Sequence, residues 1–431
     1  MLRRIEISRF KSIHHADIEL GEVNIFIGPN GSGKSNILEA VGILASALGR
    51  GLAPQDLDYK GVRLSTPRLF KSSFRNQNIP KTFQLIGHFD RFTYKCTLSA
   101  GGASRNLSFH SESLYVDGGL VIGRSPHGTR LHKHKKGFDW EEFREEIPPH
   151  RGAWDVLGPF ADIPDEVEAE INAFSRYVIY SPQTAVMRGL ATDSRVIEPL
   201  GLTGSRLATA FKETLSEKQR VQGLESKKRF EDILQIIWAP GWADRINIGR
   251  RNDDIVPPQV KTEGEVIYIR DKYMKTSFNM LSPYDASEGT LYLIFVATLL
   301  SHPEAPTSFG LDNVDGTLNP GLVRRLVDHI VKVSSEGAED SKPNKQVFLT
   351  SHNPTALDAF DIFDSNHAVF VTTRRMQVKG VRLDSHEIIG ETKFRRLIPP
   401  EGMTPQKWNE RARGKNLSEL YISNEIQDAL G

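Results

Sequence analysis

The segment Gly28-Pro29-Asn30-Gly31-Ser32-Gly33-Lys34-Ser35 matches the G-x-x-x-x-G-K-S pattern of a phosphate-binding loop. Alternating apolar residues at 23–27 predict a buried strand before it, and apolar spacing at 36–48 predicts a helix after it. Glycines let backbone N–H groups turn toward phosphate oxygens, and the N-terminus of the helix adds its positive dipole. We expect Lys34 to reach the β- and γ-phosphates and the Ser35 hydroxyl to bind Mg²⁺. The sequence therefore predicts an ATP and Mg²⁺ site formed by Asn30, Gly31, Ser32, Gly33, Lys34 and Ser35.

Four further motifs follow the loop in order. Ser287-Glu288-Gly289-Thr290 opens an apolar helix, and Ser308-Phe309-Gly310-Leu311-Asp312 is a short apolar strand ending in an acid. Leu318-Asn319-Pro320 predicts a helix start, and Thr350-Ser351-His352 ends another apolar strand. This order resembles the Walker A, signature, Walker B, D-loop and switch histidine of ABC-type ATPases. Within that superfamily, residues 1–100 and 275–390 resemble the branch containing RecF, the structural-maintenance-of-chromosomes (SMC) heads and the overcoming-lysogenization-defect (OLD) ATPases.

The resemblance implies a role for each motif. In ABC-type ATPases two heads enclose two ATP molecules, so the signature of one subunit faces the phosphate loop of the other. Ser287 and the Gly289 N–H are then expected to act on the nucleotide of a second copy. Asp312 is expected to hold Mg²⁺ together with Ser35, and His352 to sense the γ-phosphate.

The resemblance also implies a glutamine that senses the γ-phosphate and the metal. Gln183, after an apolar strand at 177–180, is the better candidate, because Gln84 lies inside an alternating strand. Ordinary alternatives stand beside these roles. Ser287 is also a favoured helix cap, and His352 and Gln183 are also compatible with plain surface positions.

One position departs from the ABC pattern. The glutamate that polarises the attacking water normally follows the Walker B aspartate, but here Asn313 follows Asp312. A carboxamide orients water without accepting a proton, and losing a general base costs about 10²- to 10⁴-fold in rate. Asp315 is a possible substitute, although the ABC pattern places it in the D-loop. We expect slow or partner-dependent ATP hydrolysis that involves Asp312, Asn313, Asp315 and His352.

The composition is that of a folded protein. The 431 residues include 55 Lys and Arg against 54 Asp and Glu, so the net charge gives no general reason to bind nucleic acid. The single cysteine, Cys96, excludes an intramolecular disulfide and fits a reducing cytoplasm. The sequence has no secretory pattern at its N-terminus and no run of 18 apolar residues. We therefore expect a cytoplasmic protein that does not enter a membrane.

The predicted fold class is α/β. We expect an ABC-type P-loop ATPase head with a mixed central sheet, an antiparallel β subdomain and a mostly helical insert. The predicted regions are an N-terminal ATPase lobe (1–100), an inserted β-hairpin and helical region (101–275), a C-terminal ATPase lobe (276–390) and a tail (391–431).

Local patterns add detail to this division of the chain. Alternation predicts hairpins at 83–98 and 107–122, and helical spacing covers 204–238. The polar segment 334–345 is expected to be exposed, and the polar segment 141–146 is an acidic run in a region of mixed pattern. The tail is too short for a nuclease domain of the OLD type, so we expect it to dock on the head or on a partner.

Three functions remain open. The first is an ATP-gated homodimeric switch, as in the ATPase subunit of a prokaryotic anti-phage system whose effector is encoded separately. The second is a RecF-like DNA-repair ATPase, for which the basic cluster at 127–136 is the best nucleic-acid candidate. The third is a scaffold that binds ATP without hydrolysing it, for which Asn313 is the support.

Overall fold

The computed structural model describes residues 1–75, 77–101, 106–137, 146–193, 195, 197–220, 224–262, 264–335, 345–374 and 388–430. Most of the polar segments 141–146 and 334–345 lies outside these residues.

The strands and helices are as follows, in chain order. The strands are β1 (Leu2–Phe10), β2 (Ile13–Glu19), β3 (Val23–Ile27), β4 (Thr82–Phe89), β5 (Phe92–Ala100), β6 (Leu107–Val116), β7 (Gly119–Ser125), β8 (Gly128–Leu131), β9 (Val178–Tyr180), β10 (Ala243–Arg250), β11 (Glu265–Asp271), β12 (Met280–Leu281), β13 (Ser308–Leu311), β14 (Gln346–Ser351), β15 (His367–Arg374) and β16 (Thr392–Arg396). The helices are α1 (Lys34–Leu48), α2 (Pro54–Tyr59), α3 (Ala153–Leu157), α4 (Asp165–Ser175), α5 (Thr184–Met187), α6 (Leu207–Arg220), α7 (Leu224–Gln235), α8 (Glu288–Ser301), α9 (Pro320–Ser335), α10 (Pro405–Arg411), α11 (Leu417–Ile422) and α12 (Ile426–Leu430).

A six-stranded sheet forms the centre of the fold, in the order β16-β15-β3-β14-β13-β9. Its pairs are parallel except that of β15 with β16. All five residues of β3 are buried, as expected for a parallel strand covered on both faces. Because β3, β13 and β14 run in the same direction, the loops after them meet at one edge of the sheet.

Different layers cover the two faces of this sheet. On one face α1 lies between the central sheet and a seven-stranded antiparallel sheet, and its residues from 37 to 48 are all buried. On the other face α8 and α9 pack against the sheet. Every residue of α8 from Gly289 to Leu300 is buried, which explains why its sequence is apolar all round.

The antiparallel sheet has the order β2-β1-β4-β5-β6-β7-β8. Both predicted hairpins are present, as β4–β5 and β6–β7. The predicted boundary after residue 100, however, falls between two paired strands, since β5 and β6 are hydrogen-bonded neighbours. The sheet continues to Leu131, so three strands of the predicted insert, β6, β7 and β8, belong to it. Alternation identifies a hairpin but carries no signal for where a sheet ends.

The predicted insert also supplies an edge strand of the central sheet. The three residues of β9 pair with β13 and are buried, although they lie inside the 101–275 region. Helices are confined to parts of this region, mainly α4, α6 and α7, and β10 and β11 form a small sheet with β12. The tail docks on the head, where the Ser418 hydroxyl donates to Asp358 at 2.8 Å. No helix in the described ranges is both long and apolar enough to cross a membrane.

A buried charge cluster joins the antiparallel sheet to α3. Glu112 on β6 accepts from the Tyr94 hydroxyl at 2.8 Å and from the Ala153 N–H at 3.2 Å, and Arg124 lies 3.5 Å away. Burial raises the pKa of Glu112 to about 7, an increase that Arg124 only partly opposes. The carboxyl group is therefore more easily protonated in the folded chain than in the unfolded chain.

This cluster predicts a pH dependence of stability. A carboxyl whose folded pKa is raised stabilises the fold fully below its unfolded pKa of 4.5, and that stability is lost as pH rises through about 7. Glu112→Gln should remove on the order of 1–3 kcal/mol of this dependence between pH 4.5 and 7. Urea unfolding at several pH values measures it. A variant that loses stability with pH as steeply as the wild type would contradict the assignment.

Candidate functional site

A glycine loop connects β3 to α1 and lies against β15 and the start of β16. At Gly33, φ is +101°, and a Cβ would lie 2.2 Å from Thr392 Oγ1. At Gly28, a Cβ would lie 2.2 Å from the Thr372 carbonyl oxygen. A larger residue at either position would collide with the strands beneath the loop. The last two strands of the central sheet therefore fix the shape of the loop.

Lys34, the first residue of α1, is 6% exposed. Its Nζ donates to the carbonyl oxygens of Gly28 at 2.7 Å and Pro29 at 3.0 Å. Burial lowers the pKa of its ammonium group, and the nearby Asp315 and Asp312 carboxylates oppose that change. The ammonium group is thus held inside the curve of the loop.

Asp312 follows β13 directly and receives two hydroxyl hydrogen bonds on one oxygen. Ser35 Oγ donates to Asp312 Oδ1 at 2.8 Å, and Thr350 Oγ1 donates to the same oxygen at 2.6 Å. The Thr350 hydroxyl, buried at the end of β14, also accepts from the Asn313 N–H at 2.8 Å. The start of α1, the end of β14 and the turn after β13, which are distant in sequence, therefore meet at one carboxylate.

Asp315 lies beneath the loop that carries His352. Its Oδ2 accepts from the backbone N–H groups of His352 at 3.1 Å and Asn353 at 2.9 Å. The His352 Nδ1 is 2.9 Å from the same oxygen, and the imidazole is half exposed. Both oxygens of Asp315 are buried, and its Oδ1 has no hydrogen-bond partner among the described residues. The contacts of Oδ2 hold the loop that carries His352, and the role of Asp315 as a substitute base stays a prediction.

Asn313 is exposed and has φ of +57°. Its carbonyl oxygen accepts from the Gly316 N–H at 3.0 Å, which closes the turn after β13. Asn adopts this left-handed conformation more readily than other residues with a side chain, whereas Glu pays a steric cost.

The signature residues lie on a separate surface. Ser287 is the exposed N-cap of α8, yet its side chain makes no capping hydrogen bond, and Gly289 is buried in the first turn. A pocket of about 480 Å³ brings Ser287 together with Asn319 of the predicted D-loop. Its lining is Ala239, Pro240, Trp242, Ser287, Asn319, Gly321, Leu322 and Arg325, and the phosphate loop, described throughout residues 28–35, contributes nothing to it.

The remaining predicted residues, Asn30 and Gln183, are exposed. Gln183 lies after β9, the neighbour of β13, and its backbone N–H donates to the Thr203 carbonyl oxygen at 2.9 Å. Its side chain forms no hydrogen bond with a described residue, so the structure places it near the correct sheet edge without joining it to Asp312.

Two parts of the site were not predicted. The sequence identifies Thr350 only as a member of the histidine motif, but its hydroxyl bridges Asp312 and the Asn313 N–H. Thr392 supports the phosphate loop, because its hydroxyl donates to the Ser32 carbonyl oxygen at 2.8 Å and lies 2.7 Å from Ser12 Oγ. The position of Thr350 at the end of an apolar strand is a weak sequence signal for this bridging role. The sequence carries no signal for Thr392.

The residues present fit a magnesium nucleotide. Ser32 Oγ is buried in the loop without a hydrogen-bond partner among the described residues, so the loop keeps one unused polar group. Gly31 has φ of +78°, and a Cβ there would meet no atom within 4 Å, which leaves the outer side of the loop open. Ser35 and Asp312 together provide a hydroxyl and a carboxylate, oxygen ligands suited to Mg²⁺.

A strand–glycine loop–helix unit beside a strand that ends in an acid defines the P-loop nucleotide-binding proteins. The additional signature helix, D-loop and histidine loop resemble those of the ABC-type ATPases.

Comparison with known proteins supports this classification. Residues 1–94 match the family model "AAA ATPase domain", and residues 243–358 match "AAA domain, putative AbiEii toxin, Type IV TA system". The OLD nuclease of Thermus scotoductus is 25% identical over 131 residues, which are 30% of this chain and 23% of that protein. The DNA replication and repair protein RecF of Teredinibacter turnerae is 47% identical over 45 residues, 10% of this chain and 12% of RecF. The matched stretches thus span less than a quarter of either relative.

A solved structure extends the likeness to the whole fold. The SMC head bound to the C-winged helix domain of ScpA superposes with a TM-score of 0.52 at 14% identity, covering 93% of this chain and 99% of that one. The fold is that of an ABC-type P-loop ATPase head, and the chain is similar to RecF, SMC and OLD proteins.

The Thr350 bridge predicts a specific loss of stability. Thr350→Val keeps the shape of the side chain but leaves the Asp312 carboxylate and the Asn313 N–H each without one partner. We expect a loss of about 1–3 kcal/mol in the free energy of unfolding, measured by urea denaturation. Thr372→Val is the matched control, because the buried Thr372 hydroxyl on β15 finds no hydrogen-bond partner among the described residues. Equal losses in both variants would refute a role for the bridge.

Proposed function

We propose that this protein is a cytoplasmic, ATP-gated switch. Two copies close around two ATP molecules, each copy hydrolyses ATP slowly, and the closed state controls a separately encoded effector, as in an anti-phage defence system. The likeness to an OLD nuclease and to an AbiEii-type AAA domain supports the defence setting.

One observation carries the proposal. The chain presents two surfaces that both carry predicted nucleotide-binding residues, and they lie apart. Lys34, Ser35 and Asp312 cluster at the edge of the central sheet, whereas Ser287 and Asn319 line a different pocket. A second copy that places its Ser287 pocket over the phosphate loop of the first would complete both sites at once, as a two-fold symmetric dimer does.

Each residue then has a distinct task. Bound Mg²⁺–ATP supplies the phosphate bond that is hydrolysed. Lys34 and the loop N–H groups bind its phosphates, and Ser35 and Asp312 would hold the metal while Thr350 orients Asp312. Asp315 holds His352 at the site edge as the γ-phosphate sensor, and we assign Gln183 to the same role in the closed state.

Association driven by ATP tests this function. Lys34→Ala should weaken ATP binding at least about 10- to 100-fold, because it removes a charge-assisted partner of the phosphates, and association should be lost with it. Ser287→Arg should keep ATP binding by each copy but abolish association, since the larger side chain occupies the pocket. Calorimetry measures binding and light scattering measures association.

Lys407→Ala, on the exposed α10 helix, is the control and should behave as the wild type. ATP affinity retained by Lys34→Ala would refute the nucleotide site. ATP-driven association retained by Ser287→Arg would refute the in-trans role of the signature.

Hydrolysis is expected to be slow because the exposed position after Asp312 is Asn313. Asn313→Glu introduces a base and should raise ATP turnover about tenfold or more, at a cost of about 1–2 kcal/mol in stability from the left-handed backbone. Asn313→Gln is the matched control, with the same length and backbone strain but no base, and should not raise turnover. Phosphate release measures both. Equal rates in the two variants would mean that the side chain at position 313 does not act on the attacking water.

A RecF-like role in DNA repair is the second candidate, favoured by one surface. Residues 127–137 of the β7–β8 hairpin and the loop after it are largely exposed and include Arg130 and Lys133. A groove of about 590 Å³ runs along this hairpin. Duplex DNA binding that weakens with salt and with Arg130→Ala/Lys133→Ala would favour this function.

A further inference from the structure

Residues 60–81, named here the basic segment, concentrate positive charge in a chain that is otherwise balanced. They contain no Asp or Glu and six cations, Lys60, Arg63, Arg68, Lys71, Arg75 and Lys81. Arg63 pairs with Glu39 at 2.7 Å. Among described residues, Arg68, Lys71, Arg75 and Lys81 form no ion pair, so their charges face solvent without local compensation.

The backbone of the basic segment is fixed at several points. Val62 is 1% exposed and Phe70 is 2% exposed, and both belong to the core. The Phe70 carbonyl oxygen accepts from the Lys11 N–H at 2.9 Å, and the Ser72 N–H donates to the Arg9 carbonyl oxygen at 2.9 Å. These contacts attach the basic segment to the end of β1.

Three aliphatic side chains nevertheless point out of the basic segment. Leu64 is 62%, Leu69 is 58% and Ile79 is 63% exposed. Leu69 directly precedes the buried Phe70, so the anchored backbone itself turns Leu69 to solvent. Single exposed apolar residues are ordinary, whereas several of them on one surface are typical of an interaction site.

Pairing places the two ends of the segment close together. Phe10 at the end of β1 forms a bridge with Lys71, and the β1–β4 register, with Ser8 opposite Gln84, brings the start of β4 to the same edge of β1. Lys71 and the start of β4 thus lie at the same strand end. Arg63 lies at this end as well, because it shares Glu39 with Lys11, whose ammonium lies 5.2 Å from the Phe70 ring.

We propose that the basic segment is a docking surface for an acidic, amphipathic segment of another protein. Leu64, Leu69 and Ile79 supply apolar anchors, and Arg68, Lys71, Arg75 and Lys81 supply a cationic rim, the usual arrangement of a protein interface. Single-stranded nucleic acid is the less fitting partner, because base stacking uses exposed aromatic rings and these three anchors are aliphatic. A second copy of the basic segment is excluded as the direct partner by like charge.

A partner bound at this surface affects the nucleotide site through one buried carboxylate, that of Glu39. Glu39 lies on α1, four residues after Ser35, with its side chain 3% exposed, and it pairs with both Lys11 and Arg63. An acidic partner that draws Arg63 outward leaves Glu39 with Lys11 alone. The partner thereby acts on the helix that begins at Lys34. The surface rests on the proposed function only in that it gives the separate effector a place to bind.

Fluorescence anisotropy with a defined probe tests the proposal. The probe is a labelled 20-residue peptide of Asp, Glu and Leu arranged as an amphipathic helix, and its control has every Leu replaced by Ser. We expect the probe to bind the full chain and the control peptide to bind at least about tenfold more weakly. Leu64→Ser/Leu69→Ser and Arg68→Ala/Arg75→Ala should each weaken the probe at least about tenfold. Ile422→Ser, which changes an equally exposed residue on α11, should have no effect.

The outcomes separate this proposal from the proposed function. Binding of the probe should persist in Lys34→Ala, in which ATP binding is expected to be weakened, so loss of one activity does not imply loss of the other. No binding of the probe, or binding that ignores Leu64→Ser/Leu69→Ser, would overturn the docking surface. A 20-nucleotide single-stranded DNA that binds more tightly than the probe and depends only on the arginines would assign the surface to nucleic acid instead.

Discussion

The Asp312 carboxylate is the point on which the candidate site depends. A single oxygen accepts from Ser35 on the phosphate-loop helix and from Thr350 on the neighbouring strand. Hydrogen bonds to a charged acceptor are worth more than neutral ones, and burial makes a missing partner costly. Parallel pairing of β13 with β14 and of β14 with β3 brings the three chain segments to the same edge. The site chemistry therefore depends on this order of strands.

The parts of the site that sequence predicts are those encoded by contiguous residues. The phosphate loop, its flanking strand and helix, and the strand ending in Asp312 all follow from local patterns, and the structure has them at the expected places. Thr392 was missed because it contacts Ser32 across 360 positions, and pairing at that distance leaves no local trace. The short β9 was placed in an insert because three apolar residues carry no period that distinguishes a sheet strand from a loop.

In the proposed dimer the two surfaces have different tasks. The surface around Lys34 already has its ammonium group arranged inside the glycine loop. The surface around Ser287 is a pocket at the start of α8, where the serine side chain makes no capping hydrogen bond. Under this proposal, nucleotide capture belongs to one chain and closure belongs to two. The proposal also gives rate and sensing to different residues, since Asn313 is exposed whereas Asp315 contacts His352.

The support that Thr392 gives the phosphate loop has a consequence for synthesis of the chain. The loop at residues 28–35 leaves the ribosome early, but β15 and β16, against which it is shaped, follow only after residue 366. Long-range pairing of this kind closes late and folds slowly. Nascent chains therefore display a complete nucleotide motif before the strands that shape it have been translated.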